Sequence, residues 1–425
     1  MTTAVQTPDH KKVFRHLYQL TAGKTISDIG NNFDMVALNM FVYLLTDSAV
    51  YMGLFMAVRL AGAFVAGFYA GILADRMNRK HLMILSDFGR SAALLAIVLT
   101  PTDYQFYVLI PLTFIMGCLS TLFGVCLQSS IPAIVGKENI VKANAVLTAW
   151  GSVAMVIGLF GAGMLLGKVS YETVFLIDAC TYVLSALNLL SIPLRTNEER
   201  AVGATKEKNM SFFAEFKLIY VYLRTVPILL SLMAIRLIDT FGSAAHNVGM
   251  PIFSSQLRPD QPSFYMGIIW GVWGIGNLIG SRIMAKKFTG NDTSINERAF
   301  GIATFFMSLF FILLFFESPI YIILLFAALA GIADGVSAIV YATRLQQTPD
   351  EKRGRMFGVS TTLQTVGFAV GMVICSPLFE IFKPVAVVGM LHGLPMIMAL
   401  LFTLYYFGKW KLNRTVKTEN SHDVA

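Results

Sequence analysis

Charge is sparse in this chain: Asp, Glu, Lys and Arg make up 14% of its residues, against 56% hydrophobic ones. That balance excludes a disordered chain, whose composition runs the other way. Cysteine is scarce too. Cys118, Cys126, Cys180 and Cys375 have no metal-ligand spacing and no pair in an outward-facing loop, so neither a disulfide scaffold nor a cysteine-bound metal is expected. The six histidines do not cluster, and no metal or cofactor is expected. A Gly-x-x-x-x-Gly-Lys-Ser/Thr phosphate loop is missing, which removes nucleotide hydrolysis by any recognisable route as an energy source. Residues 1–16 are polar and carry no apolar segment of the secretory-signal kind. Nothing resembles a clustered His, Cys or Ser constellation, so an acyltransferase-type membrane enzyme is an unsupported alternative.

Apolar runs fill the space these absences leave. Spans are read over 17–45, 49–74, 81–100, 104–130, 143–167, 171–193, 225–255, 263–287, 299–316, 318–343, 356–381 and 385–408, with boundaries good to about two to four residues. Each is long enough to cross a bilayer, and inside lipid an α-helix satisfies its own backbone one span at a time. The fold class expected is an all-α membrane protein of twelve helices, with loops too short for a sizeable soluble domain.

The net charge of +8 needs its positions read before a nucleic-acid partner is considered. Of the 33 Lys and Arg, only Lys168, Arg258 and Lys383 fall in odd-numbered loops, and Lys24, Arg59, Arg90 and Arg236 stand within spans. The rest lie in even-numbered loops and the two tails. This is the positive-inside pattern, which predicts both termini in the cytoplasm and no nucleic-acid binding.

The longest inward loop, 197–224, separates two halves, 1–196 and 225–425, each of six spans. Tyr51-Met-Gly-Leu-Phe-Met-Ala-Val-Arg-Leu-Ala-Gly62 aligns without a gap with Tyr265-Met-Gly-Ile-Ile-Trp-Gly-Val-Trp-Gly-Ile-Gly276, and Asp28 with Gly30 matches Asp239 with Gly242. Duplicated halves are a common transporter plan, with substrate bound where the repeats meet near the midplane.

Gly71-Ile-Leu-Ala-Asp75-Arg76-Met-Asn-Arg79-Lys80 closely resembles motif A of the major facilitator superfamily, between helices 2 and 3. The departure is Asn78 in place of Gly, a residue that tolerates a left-handed turn. Thr46-Asp-Ser, Ser86-Asp-Phe-Gly-Arg90 and Gln347-Thr-Pro-Asp-Glu-Lys-Arg-Gly-Arg355 look like the branch containing macrolide-efflux and enterobactin-exporter-type proteins. Gly158-Leu-Phe-Gly-Ala-Gly163 is similar to an antiporter motif, with Leu159 where that motif has proline. The resemblance implies a monomeric transporter in the bacterial inner membrane, exporting an amphipathic small molecule such as a macrolide-like drug or a siderophore. An importer or lipid flippase on the same scaffold is the alternative. It also implies that Gly71, Asp75, Arg76 and Arg79 form a gate, with Asp75 held at the start of the helix near Gly354–Arg355 while the cytoplasmic side is closed. A plain orientation signal accounts for the basic residues of this motif but not for Asp75.

Charged groups within spans cost about 2.5–3.5 kcal/mol each at a helix centre and therefore need partners or water. On the first span Asp28, Asn31, Asn32, Met35 and Asn39 recur at i, i+3, i+4, i+7 and i+11 and form one polar stripe. On the seventh, Asp239, Ser243 and His246 repeat it, with Arg236 one turn before. These stripes either line a substrate cavity or bond helix to helix. Counted from the loop they share, Asp34 lies about 16 Å and Arg59 about 14 Å deep, so the two can meet. Such a pair is either a proton-controlled switch, with Asp28 as a second partner for Arg59, or a static ion pair. Asp239 and Asp334 are further proton-coupling candidates; Asp334 is equally a kink satisfier. Asp178 and Glu380 are placed nearer the outer surface, in water. Trp273 matches Arg59 in the repeat, and with Trp270 it is a candidate aromatic wall for substrate, or else faces lipid. Without ATP, a proton gradient is the natural drive: one charge through 100 mV is worth about 2.3 kcal/mol, close to fiftyfold in concentration.

Overall fold

The computed structural model describes residues 10–136, 139–166, 168–192, 212–287 and 293–422. Thirteen α-helices run through them in this order: α1 His10–Thr46, α2 Ala49–Arg76, α3 Arg79–Leu99, α4 Thr102–Val135, α5 Ile140–Leu166, α6 Tyr171–Ser191, α7 Phe212–Thr225, α8 Pro227–Leu257, α9 Pro262–Lys287, α10 Thr293–Leu314, α11 Ile320–Gln346, α12 Asp350–Ile381 and α13 Pro384–His422. Eleven of them are long and apolar enough to cross a membrane. Helix α1 is not among the eleven, because its polar stripe lowers its hydropathy, and α7 is only 14 residues long. The loop expected up to residue 224 therefore contains a helix, separated from α8 by Val226. Pro227 explains the break, since proline has no N–H to continue a helix and favours the first helical position. Pro262 and Pro384 open α9 and α13 in the same way. The earlier part of the expected linker, 197–211, lies outside the described residues.

The helices are turned inside out relative to those of a water-soluble protein. On α6, Asp178, Tyr182 and Ser185 are buried while Leu184, Leu187 and Leu190 are exposed. On α3, Ser86, Asp87 and Arg90 are buried while Leu85, Phe88 and Leu95 are exposed. With hydrocarbon as solvent, apolar faces belong outside and polar groups belong where other helices can satisfy them.

By internal contacts the chain falls into two compact units, Met1–Glu207 with Arg258–Gly271, and Lys208–Leu257 with Val272–Ala425. Within the first, α1 packs on α5 and α6, α2 on α4, and α3 on α4 and α6. The second repeats this scheme: α8 packs on α12 and α13, and α10 on α11 and α13. Close backbone approach marks the α2–α4 pair and its counterpart α9–α11. A side chain at Gly117 of α4 would meet the Arg59 carbonyl of α2, and one at Gly331 of α11 would meet the Trp273 carbonyl of α9. Gly62 and Gly276 press likewise on Phe114 and Ala328. Small residues let membrane helices come this close, which is where packing energy comes from in lipid. The gapless sequence match between the halves thus has a structural cause.

Motif A shows its chemistry in helix ends. Asn78 is the N-cap of α3, its side chain accepting from the backbone N–H of Lys80 at 2.9 Å. Its φ is −70°, so the left-handed turn expected of it does not occur; Asn is used here for its cap oxygen. Arg79 donates to the Ala74 carbonyl at 3.0 Å and the Ser129 carbonyl at 2.5 Å, and Lys80 to those of Leu190 and Ile192 at 3.0 and 2.8 Å. Two cations thus close the C-terminal ends of α2 and α6, where unpaired carbonyls and the negative dipole end favour them, and Arg79 also ties α4 to them through Ser129. Arg79→Ala is expected to cost about 1–2 kcal/mol of stability, read as a lowered unfolding midpoint in detergent; Arg76→Ala, at an exposed site, should leave the midpoint nearly unchanged. Gly71 is exposed, with open space where a Cβ would stand. The Asp75 side chain lies outside the described residues.

Candidate functional site

In the first unit four helices aim polar groups at one buried point. Asp34 of α1 is 1% exposed and lies 3.4 Å from the guanidinium of Arg59 on α2. The Tyr182 hydroxyl of α6 stands 3.4 Å from the same carboxylate oxygen and 3.1 Å from the Asn31 side-chain oxygen. Arg90 of α3 pairs with Asp87 and donates to Ser27 at 3.2 Å and Asn31 at 3.3 Å. Its guanidinium also sits over the ring of Tyr182, 4.3 Å from the centroid, a further favourable contact for a buried cation. Asp178 of α6 is within side-chain hydrogen-bonding reach of Asp34 and accepts from Thr181 at 3.1 Å.

The charges of this cluster do not balance. Asp34, Asp87 and Asp178 face Arg59 and Arg90, one carboxyl more than the guanidinium groups neutralise. One oxygen each of Asp34 and Asp178 is buried without a hydrogen-bond partner. A buried carboxylate without a partner is costly, and a proton held on one of the two gives the other a donor. The sequence places Asp178 in water near the outer surface; it is 1% exposed instead, because α6 turns that face into the unit.

The second unit holds a related cluster. Arg236 of α8 lies 3.0 Å from Asp239 and 3.8 Å from Asp334 of α11. It also donates to Gln364 of α12 at 3.3 Å. Asn277 of α9 donates to Asp334 at 3.0 Å. Here too the carboxyls outnumber the guanidinium groups by one, and an Asp239 oxygen is buried without a hydrogen-bond partner.

Several residues expected at the site stand elsewhere. Asp28 pairs with Lys24, one turn away on its own helix, so Arg59 meets Asp34 and not Asp28. The Asn32 side chain bonds the Asp28 carbonyl at 2.7 Å, and the residue packs against Gly158 of α5, which makes it a helix–helix contact. Asn39 and Trp270 are 5% and 1% exposed, leaving no face to a substrate in this conformation. Met35, Ser243 and Trp273 are half-buried. His246 is buried against His392 of α13 instead of standing in an open cavity. Sequence reasoning misses Asp178, Tyr182, Asn277, Gln364 and His392 as site residues. Polar residues deep in apolar runs are the signal that was available for them.

The family model of the Major Facilitator Superfamily matches residues 25–294, well over half of the chain. The chain belongs to this superfamily. It is 26% identical over 393 residues to the uncharacterized MFS-type transporter YfiS of Bacillus subtilis, covering 85% of this chain and 87% of that one. It is 23% identical over 362 residues to the enterobactin exporter EntS of Salmonella paratyphi A, covering 83% and 82%. It is 23% identical over 282 residues to the staphyloferrin A transporter of Staphylococcus aureus, covering 65% and 69%. Among solved structures, that of the nucleoside transporter NupG superposes with a TM-score of 0.70 at 15% identity, covering 92% of this chain and 99% of the other; at that identity the likeness is one of fold. The protein is a multi-pass membrane transporter of the Major Facilitator Superfamily, not an enzyme.

Proposed function

We propose that this superfamily member is a proton-coupled exporter of an amphipathic small molecule, of the siderophore or macrolide-like class, working by alternating access. The observation that carries the reading is the surplus carboxyl at Asp34–Asp178, buried beside Arg59 and Tyr182. Ionisable groups inside membrane proteins are expensive, and their default meaning is an ion or proton path. A proton shared by the pair gives each acid a hydrogen-bond partner and leaves one negative charge to balance Arg59; its release leaves two carboxylates facing that one guanidinium. Those two forms differ by a whole charge in a medium of low dielectric, enough to bias two arrangements of the helices around it. Asp239 and Asp334 around Arg236 are the second such place.

Substrate class follows the relatives: enterobactin and staphyloferrin A are both siderophores, and the exporter among them matches over most of its length. Asn31 and Met35 of α1, with Ser243 and Trp273, remain the residues proposed to meet the substrate in a more open conformation. Twelve spans are reached by counting α1 with the eleven apolar helices. The lysine and arginine asymmetry then puts both termini in the cytoplasm. The bacterial inner membrane and a monomeric state are part of the same reading.

The test is uphill efflux of enterobactin from cells lacking their own exporter, with and without a protonophore. Export that collapses when the protonophore is added supports the reading. Equal export with no gradient of pH or potential would make this a passive carrier, and accumulation inside the cell would make it an importer.

A further inference from the structure

The first helix of each half carries a glycine pressed against the last helix of that half, with a titratable residue one turn further on. In the first half these are Gly30 and Asp34, with Asp178 of α6 opposite both; in the second they are Gly242 and His246, with His392 of α13 opposite both. The fold thus puts two ionisable groups at the same buried crossing twice, carboxyls in one half and imidazoles in the other. His246 Nδ1 lies 3.0 Å from His392 Nε2, hydrogen-bonding distance for two ring nitrogens. The rings are within 11° of parallel. Phe311 of α10 stacks on both, its centroid 3.9 Å from one and 5.1 Å from the other. His392 is fully buried, and its Nδ1 has no hydrogen-bond partner.

We infer that His246 and His392 form a further proton-binding site, which takes up one proton as an imidazolium–imidazole pair. In the neutral pair one ring donates its N–H to the bare nitrogen of the other, whose own N–H sits on its far nitrogen. A proton added to the far nitrogen of the donating ring turns that ring into an imidazolium. The bridging N–H then becomes charge-assisted, and the face of Phe311 favours the cation. No other bond forms or breaks. With His392 as donor, the far nitrogen is Nδ1, held against Gly242 without an acceptor; this conformation is then the proton-free one, and loading needs α8 and α13 to shift until that nitrogen meets an acceptor.

The surroundings are sparse in competing charge. Along α8 the nearest charged groups are Asp239 and Arg236, about two and three turns away, and they are engaged with each other and with Asp334 of α11. Helix α10 presents Phe311, while its Glu297 and Arg298 stand at the opposite end. Helix α12 presents Phe379 against Gly249, with Glu380 next in the chain. Between Pro384 and Tyr405, α13 carries no titratable residue besides His392.

The role of this site in transport rests on the proton-coupled reading above, but its titration is read with neither substrate nor gradient. The experiment uses the full chain with His10, His16, His81 and His422 replaced by Gln, so that His246 and His392 are the only histidines and neither is altered. With ¹⁵N-labelled histidine in lipid nanodiscs, ring nitrogen signals are followed as pH falls. The inference expects a hydrogen-bonded neutral pair at alkaline pH and a joint shift of both rings at a single midpoint, with uptake of one proton per molecule. Rings that titrate independently, or take up no proton before the protein unfolds, overturn it. Loss of pH-dependent export in Asp34→Asn with the joint histidine shift intact separates this site from the carboxyl site; an Asp34→Asn that still exports uphill removes Asp34 as the coupling acid while leaving the histidine titration to stand or fall by itself.

Discussion

Asp34→Asn is expected to lose uphill export while keeping downhill exchange of the same substrate. The amide keeps the shape of the side chain and removes the group proposed to take and give the proton beside Arg59 and Asp178. A single coupled proton at 100 mV supports about a fiftyfold concentration ratio, and that ratio should fall to about one. The measurement is substrate gradient against imposed pH gradient in proteoliposomes, with counterflow at zero gradient as the control for folding and binding. Asp178→Asn should behave in the same way, because a proton shared by two coupled carboxyls would belong to the pair and not to either member. An Asp34→Asn protein that still builds the wild-type gradient would move the coupling elsewhere, Asp239 and Asp334 being next.

The second large effect concerns assembly. Gly117→Leu and Gly331→Leu each push a side chain into the backbone carbonyl of the facing helix, at Arg59 and Trp273 respectively. Overpacking ordinarily costs about 1–3 kcal/mol, and here the obstructing neighbour is main chain that cannot rotate away, so the upper end or beyond is expected. The readout is the fraction of monodisperse protein after detergent extraction, together with its unfolding midpoint. Both variants should lose most of their folded protein. Gly389→Ala, where a Cβ meets open space, should match wild type.

Much of this architecture is legible in the residues alone, and the reasons are local. Apolar runs bounded by charge mark the helices, and rise per residue is constant, so the equal depths of Asp34 and Arg59 predict their meeting before any packing is known. The repeat is legible because close approach demands glycine at fixed places: Gly62 and Gly276 align in the sequence and do the same work in the two halves. What cannot be read depends on how helices rotate against one another. Asp178 sits near the start of α6, where depth alone argues for water, yet its face turns inward to Asp34. His246 and His392 are 146 residues apart, and nothing in the spacing of either reveals the other. Asn78 misleads for a different reason: its motif position suggests a turn, while its side chain serves as a cap.

The buried cluster in each unit holds one more carboxyl than its arginines can neutralise. If both surplus acids are loaded and emptied in a cycle, the driving force multiplies in the exponent, so a gradient able to sustain a given concentration ratio with one proton would sustain its square with two. Stoichiometry, and with it the steepest gradient this transporter can hold, would then be written in the mismatch between aspartate and arginine in its two halves.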